Sequence, residues 1–226
     1  MIRQDYLVRA IEQFAAMVAK VAGLVDQGDL KSAQEAIDQV ARRFLELEPG
    51  KLHTVSDSEL LKRVLRDTPP ALVGDKVWML IAALEQTGVV AGAAGDRERQ
   101  RASLFAALNL MFWLGELERN TPTPGFAPKL ENLLIALDDE PLPVELGLKL
   151  MSHYESVGAF GKAEDLLHAL SEASGDIDFL PRLGEDFYQR LLGQPDSRLA
   201  EGNLPRDEVE EGLAEWRGGQ ADTFDR

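Results

Sequence analysis

Between Ala102 and Leu114 the chain runs Ala-Ser-Leu-Phe-Ala-Ala-Leu-Asn-Leu-Met-Phe-Trp-Leu, with Ser103 and Asn109 polar and neither Gly nor Pro present. Ala, Leu and Met are strong helix formers, and a helix that is apolar around its whole circumference is stable only when other elements wrap it. A run of 13 residues falls short of the roughly 20 that cross a bilayer. The run is therefore expected to be the central core helix of an all-α fold, with amphipathic helices before and after it.

Charge narrows the range of partners. The 226 residues carry 39 acids against 24 bases, a formal charge of −15. Such a field repels phosphates and anionic headgroups, so neither nucleic acid nor a membrane surface is an expected partner, and with so short an apolar run membrane insertion is not expected. A basic or amphipathic protein partner suits it better. The absence of cysteine removes disulfides, thiol nucleophiles and thiolate metal sites. At the N-terminus Asp5, Arg9, Glu12 and Gln13 interrupt the apolar residues, which is unlike a secretory signal, so a cytoplasmic location is expected.

Residues 2–26 read as one long amphipathic helix. Leu7, Ile11, Phe14, Val18, Val21 and Val25 recur at steps of four and three, a heptad pattern. Ala10, Met17, Ala22 and Leu24 widen the stripe, which favours packing within the chain; a homodimer through the first helix is the alternative. Gly28 and Asp29 precede a second helix from Leu30 to about Leu47, making an antiparallel hairpin. Ser56 and Glu59 have capping-box spacing for a short helix, and a further buried helix is expected over Ala71–Leu84.

Gly88–Gly95 is rich in Gly and Ala but is followed by Asp96 and Arg97, not by the Lys and Ser or Thr of a phosphate loop. Small residues for a turn or for close helix approach account for it. Asp96–Arg101 mixes Arg97, Arg99 and Arg101 with Asp96 and Glu98, a solvated first turn or, alternatively, a basic spot. The Pro- and Gly-rich stretch Asn120–Pro128 marks a boundary. Three parts are thus expected: an N-terminal helical part over 1–119, a C-terminal hairpin part over 129–192, and an acidic, Gly-rich tail over 193–226, accessory or autoinhibitory. The tail carries Trp216 and Phe224, which either dock back on the body or anchor a partner.

No catalytic constellation is legible. His53, His153 and His168 sit in no ligand motif. Glu145 with Glu155, or Asp165 with Glu164, could act as acid and base in principle, but carboxylates this common carry little information without a pocket. The triplet Asp138–Glu140 lacks the ligand spacing and Gly of a calcium loop. No enzyme activity, metal or cofactor is expected.

Two hairpins share one pattern. Leu24, Gly28, Leu30, Ala33, Ile37 and Val40 are spaced like Tyr154, Gly158, Phe160, Ala163, Leu167 and Leu170. This resembles the tetratricopeptide repeat, whose antiparallel helix pairs stack into a scaffold that binds peptides and proteins. The opening Met1–Phe14 also resembles the start of a bacterial family of unknown function built of such hairpins, which implies no activity. Ala33 and Ala163 stand 130 positions apart, not a multiple of the roughly 34-residue repeat. The expectation is a short, irregular tetratricopeptide-like solenoid or bundle of antiparallel hairpins.

In that resemblance the first helix of each pair lines the binding side. The implied partner-binding positions are Ala15, Val18 and Ala22 in the first hairpin and Glu145, Leu148 and Ser152 in the second. They describe a groove apolar at one end and acidic at the other, suited to an amphipathic or basic helix. An interaction scaffold or adaptor is therefore expected. The alternatives are a bundle holding a small apolar ligand along Leu104–Leu114, or a self-associating structural protein.

Overall fold

The computed structural model describes residues 2–48, 50–66, 68–117, 123–137, 140–174 and 179–221. Among these the elements are eleven α-helices and one 3-10 turn, with no strand, so the fold is all-α. Two compact units form, Met1–Pro141 and Leu142–Arg226.

The first unit opens with α1 (Ile2–Asp26) and α2 (Leu30–Leu45). Their turn places Gly28 at φ +76°, a conformation that costs a Cβ-bearing residue strain. Asp29 then caps α2 by accepting the Ser32 N–H at 3.1 Å. Phe14, Met17 and Val21 of α1 and Ala33, Ile37 and Ala41 of α2 are buried. Phe14 and Val21 of the heptad stripe are thus spent on packing within the unit, with Ile11, Val18 and Val25 half-buried. The short α3 (Asp57–Arg66) begins as its spacing predicts, with the Ser56 hydroxyl accepting the Glu59 N–H at 3.3 Å.

Next come α4 (Val73–Ala93), α5 (Arg97–Leu117) and α6 (Leu130–Leu137). The central helix is α4, not the Ala102–Leu114 run. It touches α1, α2, α3, α5 and α6, and every residue from Met79 to Gly88 is buried. In α5, Ser103, Leu104, Ala107, Leu108, Leu110 and Leu114 are buried, but Ala102 is exposed and Phe105, Asn109, Phe112 and Trp113 are half-buried. Side-chain size explains the exchange of roles. Ala82, Ala83 and Gly88 let neighbours close on α4 from several sides, whereas the bulky aromatics of α5 remain partly covered.

The small residues after Leu84 extend α4 instead of ending it. A Cβ on Gly88 would stand 2.8 Å from Leu104 Cγ, so this glycine sets how closely α4 and α5 approach. Only Gly95, at φ +76°, serves the turn between them. Leu104, Ala107, Leu108, Leu110 and Leu114 are buried on a helix that packs against α4. Phe126 of the Pro-rich stretch is buried with its ring 5.8 Å from that of Phe14. Phe126 therefore belongs to the core of the first unit, and the division falls at 141/142.

In the second unit, α7 (Val144–Val157) and α8 (Phe160–Ser174) repeat the hairpin design, with Gly158 at φ +81° in the turn. Ala163 and Leu167 are fully buried, as are Ala33 and Ile37 at the matching positions. Then follow α9 (Leu180–Leu192), α10 (Asp196–Glu201) and α11 (Arg206–Ala221). The expected tail is thus corrected: Leu199, Leu204, Val209 and Leu213 are buried in one cluster with Met151, Phe160, Leu167, Phe187, Tyr188 and Leu191. Apolar residues spaced through a polar, Gly-rich sequence carry this packing. Trp216 docks back, its Nε1–H donating to the Pro181 carbonyl at 2.8 Å. Phe224 lies outside the described residues. No helix among the described residues is long and apolar enough to cross a membrane.

Candidate functional site

On α1, Ala15 and Ala22 are exposed and Val18 is half-buried, while Phe14, Met17 and Val21 turn inward. These steps of three and four residues leave one outward strip of small apolar side chains. On α7, Glu145 and Ser152 are exposed and Leu148 is half-buried. Glu145 Oε1 accepts from Lys149 Nζ at 2.8 Å, and this bond, with the lysine charge, holds its carboxyl below the ordinary value. Each triplet shares a face of its own helix, α1 in the first unit and α7 in the second.

A polar hollow of about 320 Å³ lies in the first unit, between the loop before α3 and the first half of α5. His53, Thr54, Ser56, Asp57 and Asn109 border it together with Ala102 and Ala106. Burial, and next the nearby Arg99 charge, hold His53 below its usual value, only partly offset by Asp96. Arg99 Nη2 donates to Gln34 Oε1 at 2.6 Å, which fixes the guanidinium against α2.

The second unit contains a cluster built from three helices. Tyr188 on α9 donates its hydroxyl to Glu164 on α8 at 2.8 Å, with His168 Nε2 at 3.3 Å from the same oxygen. The His168 and Trp216 rings meet edge-on, 5.7 Å between centroids. Glu164 and His168 are four residues apart, one helix face, a spacing that could have been read from the sequence. What could not be read is Tyr188, whose partner lies 24 positions away. Burial and the Glu164 carboxylate push the phenol far above its ordinary value. It is locked as a proton donor and joins α8 to α9. Glu164 also borders a hollow of about 430 Å³ with Asp165, Glu201, Glu208 and Lys162.

Of the two carboxylate pairs weighed for acid–base work, Glu164 and Asp165 border one hollow, whereas Glu145 and Glu155 are each engaged by a cation, Lys149 and Arg190. Glu155 is held by Arg190 at 2.7 and 2.9 Å, and Asp165 is exposed beside a half-buried Glu164. Among the described residues no three His, Cys, Asp or Glu side chains are grouped to hold a metal ion.

The architecture defines an all-helical protein made of two hairpin-based units. The chain belongs to a family of unknown function (DUF6483), whose model it matches over residues 1–218. No curated protein and no solved structure matches it.

Proposed function

We propose that the protein is a cytoplasmic interaction scaffold of tetratricopeptide-like hairpins that holds a basic, amphipathic partner helix or peptide. The carrying observation is the outward strip of exposed Ala15, half-buried Val18 and exposed Ala22 in a chain of charge −15. An amphipathic helix lays its apolar face on such a strip at steps of three and four residues, and its basic face is drawn by the acidic surface. In the second unit, Glu145 and Ser152 on α7 and the acidic hollow offer polar and negative groups to a basic partner. The reading assigns no reaction to the chain.

The test compares affinity capture by the intact chain with capture by Val18→Asp and by Glu145→Lys, each shown by circular dichroism to fold. The expected outcome is a discrete set of partners that the Val18→Asp chain loses and the Glu145→Lys chain holds more weakly. Equal retention by both folded variants overturns the reading.

A further inference from the structure

The chain has carboxylates to spare, 39 acids against 24 bases, yet two bases that share one hollow have none as a partner. The hollow belongs to the first unit and measures about 290 Å³. It lies between the end of α2, the α3 helix and the start of α4, and Glu46, Glu59, Arg63, Arg66 and Lys76 border it. Arg63 Nε donates to Glu59 Oε1 at 3.1 Å, so these two charges neutralise each other. Glu46, Arg66 and Lys76 form no ion pair with one another or with any other described residue. Lys76 is half-buried on α4, while Glu46 and Arg66 are exposed.

The backbone adds a second observation. Glu46 caps the C-terminus of α2 in the left-handed region, at φ +56° and ψ +32°, where Gly or Asn stands at lower cost. A Glu at this position weakens the turn and brings a carboxylate to the hollow. One acid and two bases thus border a common space without touching. Their complement is a molecule that carries two anionic groups and one cationic group on a short frame.

We propose that this hollow binds a small acidic amino acid, its two carboxylates received by the Arg66 guanidinium and the Lys76 ammonium, and its own ammonium by the Glu46 carboxylate. The guanidinium fork takes a carboxylate bidentately, and the lysine acts as a point charge. Charge then balances, because the three unpaired groups sum to a single positive charge and such an amino acid carries a single negative one. Leu45 and Val64, both buried, border the same hollow and offer apolar surface to the methylene groups of the ligand. The site is built on α2, α3 and α4, so it does not depend on what α1 and α7 hold.

The experiment titrates the full chain with L-glutamate, with L-aspartate and with glutarate, which has two carboxylates and no ammonium, ionic strength being held constant with chloride. The readout is the backbone amide NMR signals of Glu46, Val64 and Lys76. Saturable shifts are expected with at least one of the amino acids, and the tighter of the two gives the length of the frame. Glutarate is expected to bind about threefold more weakly or worse, and Arg66→Gln and Lys76→Gln each to weaken the amino acid about threefold, the scale of a solvent-exposed ion pair. Glu46→Gln is the sharper variant. It is expected to weaken the amino acid and to tighten glutarate, opposite effects that a merely structural role of Glu46 would not produce. None of the three substitutions removes an ion pair within the protein, and circular dichroism checks that each variant folds. No saturable shift with either amino acid beyond the chloride control overturns the assignment. So does glutarate binding as tight as the amino acid, or a folded Glu46→Gln chain that binds the amino acid and glutarate as the wild type does.

Discussion

The Tyr188 hydroxyl donates to Glu164 Oε1 at 2.8 Å, joining α9 to α8 inside the second unit. Tyr188 has no exposed surface, so its hydroxyl has no recourse to bulk water. Replacing it with Phe leaves a half-buried carboxylate without its donor. Tyr188→Phe is expected to cost about 1–3 kcal/mol of stability, read as a lower urea midpoint; an unchanged midpoint would show that the bond contributes nothing net.

The same carboxylate gives stability a pH dependence. Burial raises the folded-state value of Glu164 above 4.5, assisted by Asp165 and Glu208 and opposed by the Tyr188 bond and His168. A carboxyl raised on folding binds its proton more tightly in the folded chain. Its contribution is therefore fully present below pH 4.5 and lost as pH rises through the raised folded value. Glu164→Gln keeps an oxygen for Tyr188 and removes the charge. The variant is expected to exceed wild type in stability at pH 8 and to lose that advantage by pH 4.5. Urea melts at the two pH values decide it, and an advantage that does not shrink on acidification would contradict the assignment.

Glycine positions in the first unit separate space from helix propensity. A Cβ at Gly88 would meet Leu104 Cγ at 2.8 Å and Cδ2 at 2.9 Å, within the buried face between α4 and α5. At Gly23, on α1, a Cβ would meet nothing within 4 Å. Gly88→Ala is expected to destabilise by about 1–3 kcal/mol through overpacking. Gly23→Ala should stabilise by up to about 1 kcal/mol, the ordinary gain of Ala over Gly in a helix. Thermal melts of both variants check the pair, and a stabilised Gly88→Ala chain would show that α4 and α5 can move apart freely.

Local signals in the sequence carried the hairpins. Gly28 and Gly158 occupy left-handed turns, Ala33 and Ala163 are fully covered, and Ser56 caps α3. Each depends on residues within one turn or one helix pair, where spacing is enough. The central helix was less legible because Glu85, Gln86 and Thr87 interrupt α4 with polar residues that nevertheless end up buried. Thr87 answers its burial locally, donating to the Ala83 carbonyl at 2.8 Å. The nearness of His53 to Arg99 was out of reach for another reason. His53 and Arg99 lie 46 positions apart in the sequence, and only the packing of the loop before α3 against α5 makes them neighbours.

The C-terminal residues provide the last prediction. Arg206 donates to the Leu192 carbonyl at 3.1 Å and the Gln194 carbonyl at 2.7 Å, and pairs with Asp196, fastening the start of α11 to the end of α9. Farther along, Trp216 fills the space that Gly184 leaves open; a Cβ there would lie 2.0 Å from Trp216 Cε2. Ending the chain after Gly193 removes Leu199, Leu204, Val209 and Leu213 from the core of the second unit and uncovers Tyr188 and Leu191. Fully burying one such side chain stabilises by about 1.5–3 kcal/mol, so losing four removes about as much as an ordinary domain's whole net stability of roughly 5–15 kcal/mol. The shortened chain is expected to lose more helical circular dichroism than the deleted residues account for, and to bind hydrophobic dye. If it keeps the helicity of α7 to α9 and their melting transition, then α10 and α11 are an appendage after all and the core of the second unit closes without them.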